Sequence, residues 1–143
     1  MTSDNATTRT SVLLAALALV ALAILVWSNS SPHNAASPPP TRTMQAGPIE
    51  AAVTPLTLDV SGAVFQVKLD THAGALDLDV ASSARLRING VPAGGATWEG
   101  QGPGGHHREG TLRFTRPVPA GATVELHITG LAADVTASWT APR

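Results

Sequence analysis

Five side chains in two short stretches are of the types that hold divalent metal ions. Asp70 and His72 stand in Leu69-Asp70-Thr71-His72, and His106, His107 and Glu109 stand in Gly105-His106-His107-Arg108-Glu109. A neutral imidazole nitrogen is a good ligand for copper or zinc, and a carboxylate beside it completes the shell or orients the ring. On an extended backbone the neighbours His106 and His107 diverge, so at most one of them meets His72 unless the chain curls. Gly102-Pro103-Gly104-Gly105, just ahead of them, permits such a curl, and the whole stretch from Gly102 to Gly110 reads as a loop. The same side chains also suit a purely structural network that satisfies loop backbone groups.

A catalytic set is harder to assemble. Ser61, Ser82 and Ser83 lack the glycine pattern of a nucleophile elbow, so a hydrolase triad with Asp70, His72 and His107 exists only on paper. The glycine-rich loop lacks the Lys-Ser/Thr ending of a phosphate loop. Asp77 and Asp79 read as solvated positions on the outside of a strand. His127 alternates outward with Glu125 and Thr129, and Arg85, Arg87 and Arg113 read as a solvated face. The expectation is a protein that is not an enzyme.

The chain has no cysteine, which excludes disulfides, thiolate metal sites and a blue-copper centre. A net charge of -1 provides no field for nucleic acid. The Ala, Gly, Pro and Arg bias, with Lys68 the single lysine, points to GC-rich bacterial coding.

Val12 to Trp27 is a run of sixteen apolar residues. At ~1.5 Å per residue it spans about 24 Å as a helix, and uncharged Thr10, Ser11 and Ser28 extend it towards the ~30 Å hydrocarbon core. Arg9 precedes it and the next charge is Arg42, which places the N-terminus in the cytoplasm. The expected organisation is a cytoplasmic N-terminus (1–11), a transmembrane signal-anchor (12–28), a Pro/Ser-rich disordered linker (29–48) and an extracytoplasmic domain (49–143). A cleaved signal peptide is the competing reading, and both readings export the downstream chain. His33, within the linker, reads as solvated.

From Ile49 onward the hydrophobic period is two, the mark of half-buried strands. Strands are expected at Leu56–Val60, Phe65–Leu69, Leu76–Val80, Arg85–Ile88, Ala96–Glu99, Thr111–Thr115, Thr123–Thr129 and Val135–Thr140. A hairpin across residues 71–74 would set Leu69 against Leu76 and Lys68 against Asp77. Asn89-Gly90 is a strong two-residue hairpin signal. Seven or eight short strands with turn signals between them and no helical pattern predict an all-β fold, an immunoglobulin-like or cupredoxin-like sandwich, with a small barrel as the alternative.

Val67–His72 (VKLDTH) and Gly104–Phe114 (GGHHREGTLRF) resemble small exported bacterial and archaeal β proteins that share a Leu-Asp-Thr-His and Gly-Gly-His-His-x-Glu-Gly pattern. The resemblance covers Leu56 to Trp139, includes Trp98 between the two motifs, and implies a shared fold and site. A weaker likeness is to periplasmic copper-resistance β-sandwich proteins, in which an Asp-x-His step supplies copper ligands; here it maps onto Asp70 and His72. Those proteins also use a mature N-terminal histidine, which an uncleaved anchor does not provide. Taken together, the expectation is a membrane-anchored protein that binds or delivers copper or zinc through His72 and His106 or His107, with Asp70 or Glu109 beside them. The alternative expectation is a metal-free structural or interaction module of a cell-envelope complex.

Overall fold

The computed structural model describes residues 37–143. The expected cytoplasmic N-terminus, the apolar segment 12–28 and the first part of the linker, with His33, lie outside the described residues. Among the described residues no helix is long and apolar enough to cross a membrane.

The described residues are all-β, in two antiparallel sheets. Strands β1 (Arg42–Ala46), β2 (Ile49–Asp59), β3 (Gly62–Thr71), β6 (Thr97–Gly100) and β7 (His107–Phe114) form one sheet in the order β1-β2-β3-β7-β6. Strands β4 (Ala84–Ile88), β5 (Val91–Pro92), β8 (Thr123–Ile128) and β9 (Val135–Thr140) form the other in the order β5-β4-β8-β9. Among the described residues one short helix, α1 (Val80–Ser83), begins where Asp79 Oδ1 accepts the Ser82 amide at 3.2 Å.

Alternation decides which side chains meet between the sheets. Val53, Phe65, Val67, Leu69 and Leu112 from one sheet, and Leu86, Val124, Leu126, Ile128 and Trp139 from the other, are buried in a single cluster. The Phe65 ring lies 5.3 Å from that of Trp139 and 6.4 Å, edge-on, from Phe114. The inward positions expected on β8 and β9 are the ones buried. The Asn89-Gly90 turn forms as expected: Ile88 pairs with Val91, and both turn residues take positive φ (50° and 78°).

Four expectations fail, each for a reason visible in the pairing. Residues 76–80 are not a strand, and β3 pairs with β2 and β7 instead of folding back on them. Lys68 therefore opposes Glu109, not Asp77; alternation fixes the face a side chain occupies but not its partner strand. The linker does not run to residue 48. Gly47-Pro48 is a two-residue turn that pairs Ala46 with Ile49, so residues 42–46 are drawn into the sheet as an edge strand. The regular alternation of Leu56, Leu58 and Val60 is broken by a bulge between Pro55 and Thr57, which leaves only Leu58 buried. Finally, the glycine-histidine segment is loop only as far as His106, because β3 offers its edge to His107 and the residues after it.

The strand directions give the domain two distinct ends. At the upper end lie the turn between β1 and β2, the 72–79 segment, the 101–106 loop and the turn between β8 and β9. At the lower end lie the turn between β2 and β3, Asn89-Gly90, the 115–122 loop and the C-terminus. The lower loops are tied together by Val118 N to Asp59 O (2.8 Å), Asn89 N to Thr123 O (2.8 Å) and Ala141 N to Ala122 O (2.8 Å).

Candidate functional site

The upper rim of the five-stranded sheet carries the residues singled out by the sequence. Opposed residues of antiparallel strands share a face, so the pairings Gln45 with Glu50, Glu50 with Asp70, and Asp70 with His107 make one row across four strands. The row below it contains Ala52, Lys68 and Glu109. Both rows lie on the outer face, away from the core.

His107 Nδ1 is in direct contact with Asp70 Oδ1, and both side chains are about half-exposed. The other ring nitrogen, Nε2, lies 3.9 Å from Glu109 Oε2. Glu109 is held in turn by Gln66, whose Nε2 donates to Oε1 at 2.7 Å, and by Lys68 Nζ at 3.4 Å. Asp70, His107, Glu109, Lys68 and Gln66 thus form one connected polar network. Its acids already have partners, as a structural reading of these residues requires.

His72 stands just beyond the end of β3. With Gln45, Pro48, Glu50 and Asp70 it lines an open depression of about 410 Å³. No lysine or arginine lines this depression, and Glu50 makes no ion pair among the described residues. His106 contributes its main chain: its carbonyl accepts the Thr71 amide at 2.8 Å, and its ring is exposed. The structure therefore unites Asp70, His107 and Glu109, sets His72 on the same rim beside Asp70, and gives His106 no share in the network. Among the described residues, no group of three or more His, Cys, Asp or Glu side chains is placed to hold a metal ion.

The residue that builds the rim from beneath is Arg108. It lies between two outward-facing residues of β7, so its side chain points inward, and it is 2% exposed. Nη1 donates to the carbonyls of Leu76 (3.0 Å) and Leu78 (2.6 Å), while Nε and Nη2 donate to Gln101 O (3.3 and 3.1 Å). The guanidinium also lies 5.9 Å from the ring centroid of Trp98, whose Nε1 donates to the same Gln101 carbonyl at 3.0 Å. One buried cation thereby joins the 72–79 and 101–106 segments. Main-chain bonds between Leu76 and the loop, N to Gly105 O and O from Gly104 N (both 3.0 Å), complete the union. The signal for Arg108 was present in the sequence, since a strand that turns His107 and Glu109 outward must turn the residue between them inward.

Outside this rim the sequence-predicted polar residues stand apart. His127 is half-exposed with Nε2 3.7 Å from Asp134 Oδ2, as a surface position should be. Asp79 caps α1, and Asp77 is an exposed loop residue. Arg85 and Arg87 donate to main-chain carbonyls of their own neighbourhood, those of Ser82, Ala84 and Gly90. Comparison of the chain with protein-family models, curated proteins and solved structures gives no match.

Proposed function

We propose that this chain is a membrane-anchored, extracytoplasmic binding module without a catalytic role, and that its acidic rim receives a positively charged group of a cell-envelope partner. The two-sheet domain is read as immunoglobulin-like or cupredoxin-like, held at the membrane by residues 12–28 with the N-terminus in the cytoplasm. The observation that carries the binding reading is the open depression at the rim, where Glu50 and Asp70 face solvent with no lysine or arginine lining the space. Gln45 and His72 add hydrogen-bonding groups at its edge. A guanidinium or ammonium group entering there would meet two carboxylates in a charge-assisted, bidentate-capable arrangement.

The test is a titration of the full chain in lipid nanodiscs with a short arginine-bearing peptide and its glutamate counterpart, followed by amide chemical shifts. Selective shifts at residues 45, 50, 70 and 72, abolished by Glu50→Gln together with Asp70→Asn, are expected. Equal, non-specific responses to the two peptides would remove the proposal.

A second reading is favoured by the convergence of His72, His107, Asp70 and Glu109 on one rim. In it the site takes up copper or zinc, with a rearrangement that frees His107 from Asp70 and brings His72 across. Stoichiometric retention of Cu²⁺ or Zn²⁺ after dialysis, lost in His72→Ala with His107→Ala, would establish this reading in place of the first.

A further inference from the structure

The lower end of the domain has a composition unlike the upper. Among the described residues three large apolar side chains are exposed, Leu56 (57%), Val60 (78%) and Val91 (47%), and all three belong to this end. Leu56 is the bulged residue of β2, Val60 lies in the turn between β2 and β3, and Val91 follows the Asn89-Gly90 turn. Leu56 and Val60 line an open depression of about 430 Å³ together with Val118, Ala120, Pro142 and Arg143. Exposed arginines stand near these positions: Arg113 near the end of β7, Arg116 in the following loop, and Arg143. The acid at this end, Asp59, is turned back on Ser61, accepting its hydroxyl at 2.6 Å and its amide at 2.7 Å.

The chain enters the domain from the side of this end, because β1 runs from mid-sheet, where Arg42 pairs with Val53, toward the upper end. Thr41 and Thr54 are hydroxyl-bonded at 2.7 Å, and Trp139 Nε1 donates to Pro40 O at 2.7 Å, which fixes residues 40–41 beside the middle of β2 and the lower part of β9. Between the apolar run that closes at Trp27 and this fixed point lie residues 28–39. Fully extended, twelve residues reach about 40 Å, which is the greatest distance at which an anchored chain could hold residues 40–41 from a bilayer.

We propose that the lower end of the domain is a docking surface for anionic lipid headgroups, so that the acidic rim is presented away from the membrane. The proposal rests on the anchor reading of residues 12–28. Three apolar side chains, one at a strand bulge and two at turns, with arginines near them, suit shallow insertion among headgroups better than they suit a protein interface, which needs a contiguous, close-packed patch. Each arginine near an anionic surface adds on the order of 1 kcal/mol of attraction. The eleven residues of β2 set the two ends about 30 Å apart, so a lower end resting on lipid leaves the rim clear of the headgroups.

The absence of native cysteine makes a direct test practical. Val60→Cys, Val91→Cys and, at the upper end, Asp77→Cys are each labelled with an environment-sensitive fluorophore. The full-length variants are then reconstituted into vesicles of phosphatidylcholine and phosphatidylglycerol with a quencher on the headgroup. Quenching at 60 and 91 is expected to exceed that at 77 several-fold, and Arg113→Glu with Arg143→Glu should halve it at position 60. Equal quenching at 60 and 77, in chains that still float with the vesicles, would overturn docking while leaving the anchor intact. Chains that fail to float would remove the anchor reading and docking together. Efficient Val60→Cys cross-linking between copies, without quenching, would overturn the proposal in favour of self-association.

Discussion

At the scale of single residues, Arg108 sets the geometry of the rim although its side chain makes no part of the rim surface. A buried guanidinium is tolerated only because the carbonyl oxygens of Leu76, Leu78 and Gln101 surround it. Removing the cation strands those carbonyls, at ~1–3 kcal/mol for each one that water cannot reach. Arg108→Met is therefore expected to lower unfolding free energy by about 3 kcal/mol in urea titration. It should also raise amide exchange in residues 72–79 and 101–106 before the rest of the domain. Arg108→Lys would recover only part of the loss, because an ammonium cannot reach both segments with a planar fork. Asp59 gives a second expectation. The Ser61 hydroxyl, and then its amide, hold the Asp59 carboxyl below its ordinary pKa. A depressed folded-state pKa contributes stability above the unfolded-state value and loses it as pH falls through the folded one. Stability should thus decline below about pH 4, with a shallower slope in Asp59→Asn. Denaturant midpoints between pH 5 and 2.5 measure it. Asp70, His72, His107 and Glu109 could be picked out from residue type alone, whereas Arg108 could be found only by asking which way each residue of a strand must face.

At the scale of elements, alternation makes most strands legible in the sequence but leaves their pairing open. The alternating runs in β3, β4, β8 and β9 were placed from the sequence because their apolar positions repeat every second residue. Leu76, Leu78 and Val80 alternate equally well, and the hairpin drawn through them matched Lys68 with an acid. The real sheet satisfies the same lysine with Glu109 across a much longer loop, a choice that depends on packing no local pattern encodes. The edge strand β1 was missed because the prolines around it suggested a tether throughout. Its inward residues, Met44 and Ala46, do alternate, and its outer positions are Thr43 and Gln45. The packing gives this strand a testable weight: Ala46 is fully buried, Met44 packs on the core, and the Trp139 indole donates to Pro40 just upstream. A chain beginning at Ile49 should be less stable than one beginning at Ser37 by about 3 kcal/mol, from roughly 1–2 kcal/mol of lost apolar burial and one stranded buried donor. Paired thermal melts of the two chains measure the difference.

At the scale of the whole domain, residue chemistry is segregated along the strand axis. The upper end holds Glu50, Asp70, Glu109 and three histidines, and the lower end holds Arg113, Arg116 and Arg143 with the exposed Leu56, Val60 and Val91. Such a division leaves net charge near zero while giving the domain opposite fields at its two ends, so the overall balance of charges conceals it. If the lower end rests on anionic lipid, two attractions of different physical origin hold the chain at the bilayer, and salt separates them. The apolar segment 12–28 partitions by burial, which added salt does not weaken. The arginines act through the headgroup field, whose reach contracts from ~10 Å at 0.1 M to about 3 Å at 1 M ionic strength. Raising sodium chloride from 0.05 to 0.5 M should therefore leave flotation of the full chain with vesicles unchanged and reduce headgroup quenching of a label at position 60 about two-fold or more. The residual quenching at high salt would measure the share contributed by the apolar residues Leu56 and Val91, and Leu56→Asp with Val91→Asp should remove most of it. A label at position 77 should respond far less to salt, because the rim stands about 30 Å from the lower end, about two screening lengths from the charged surface at 0.05 M and more at higher salt.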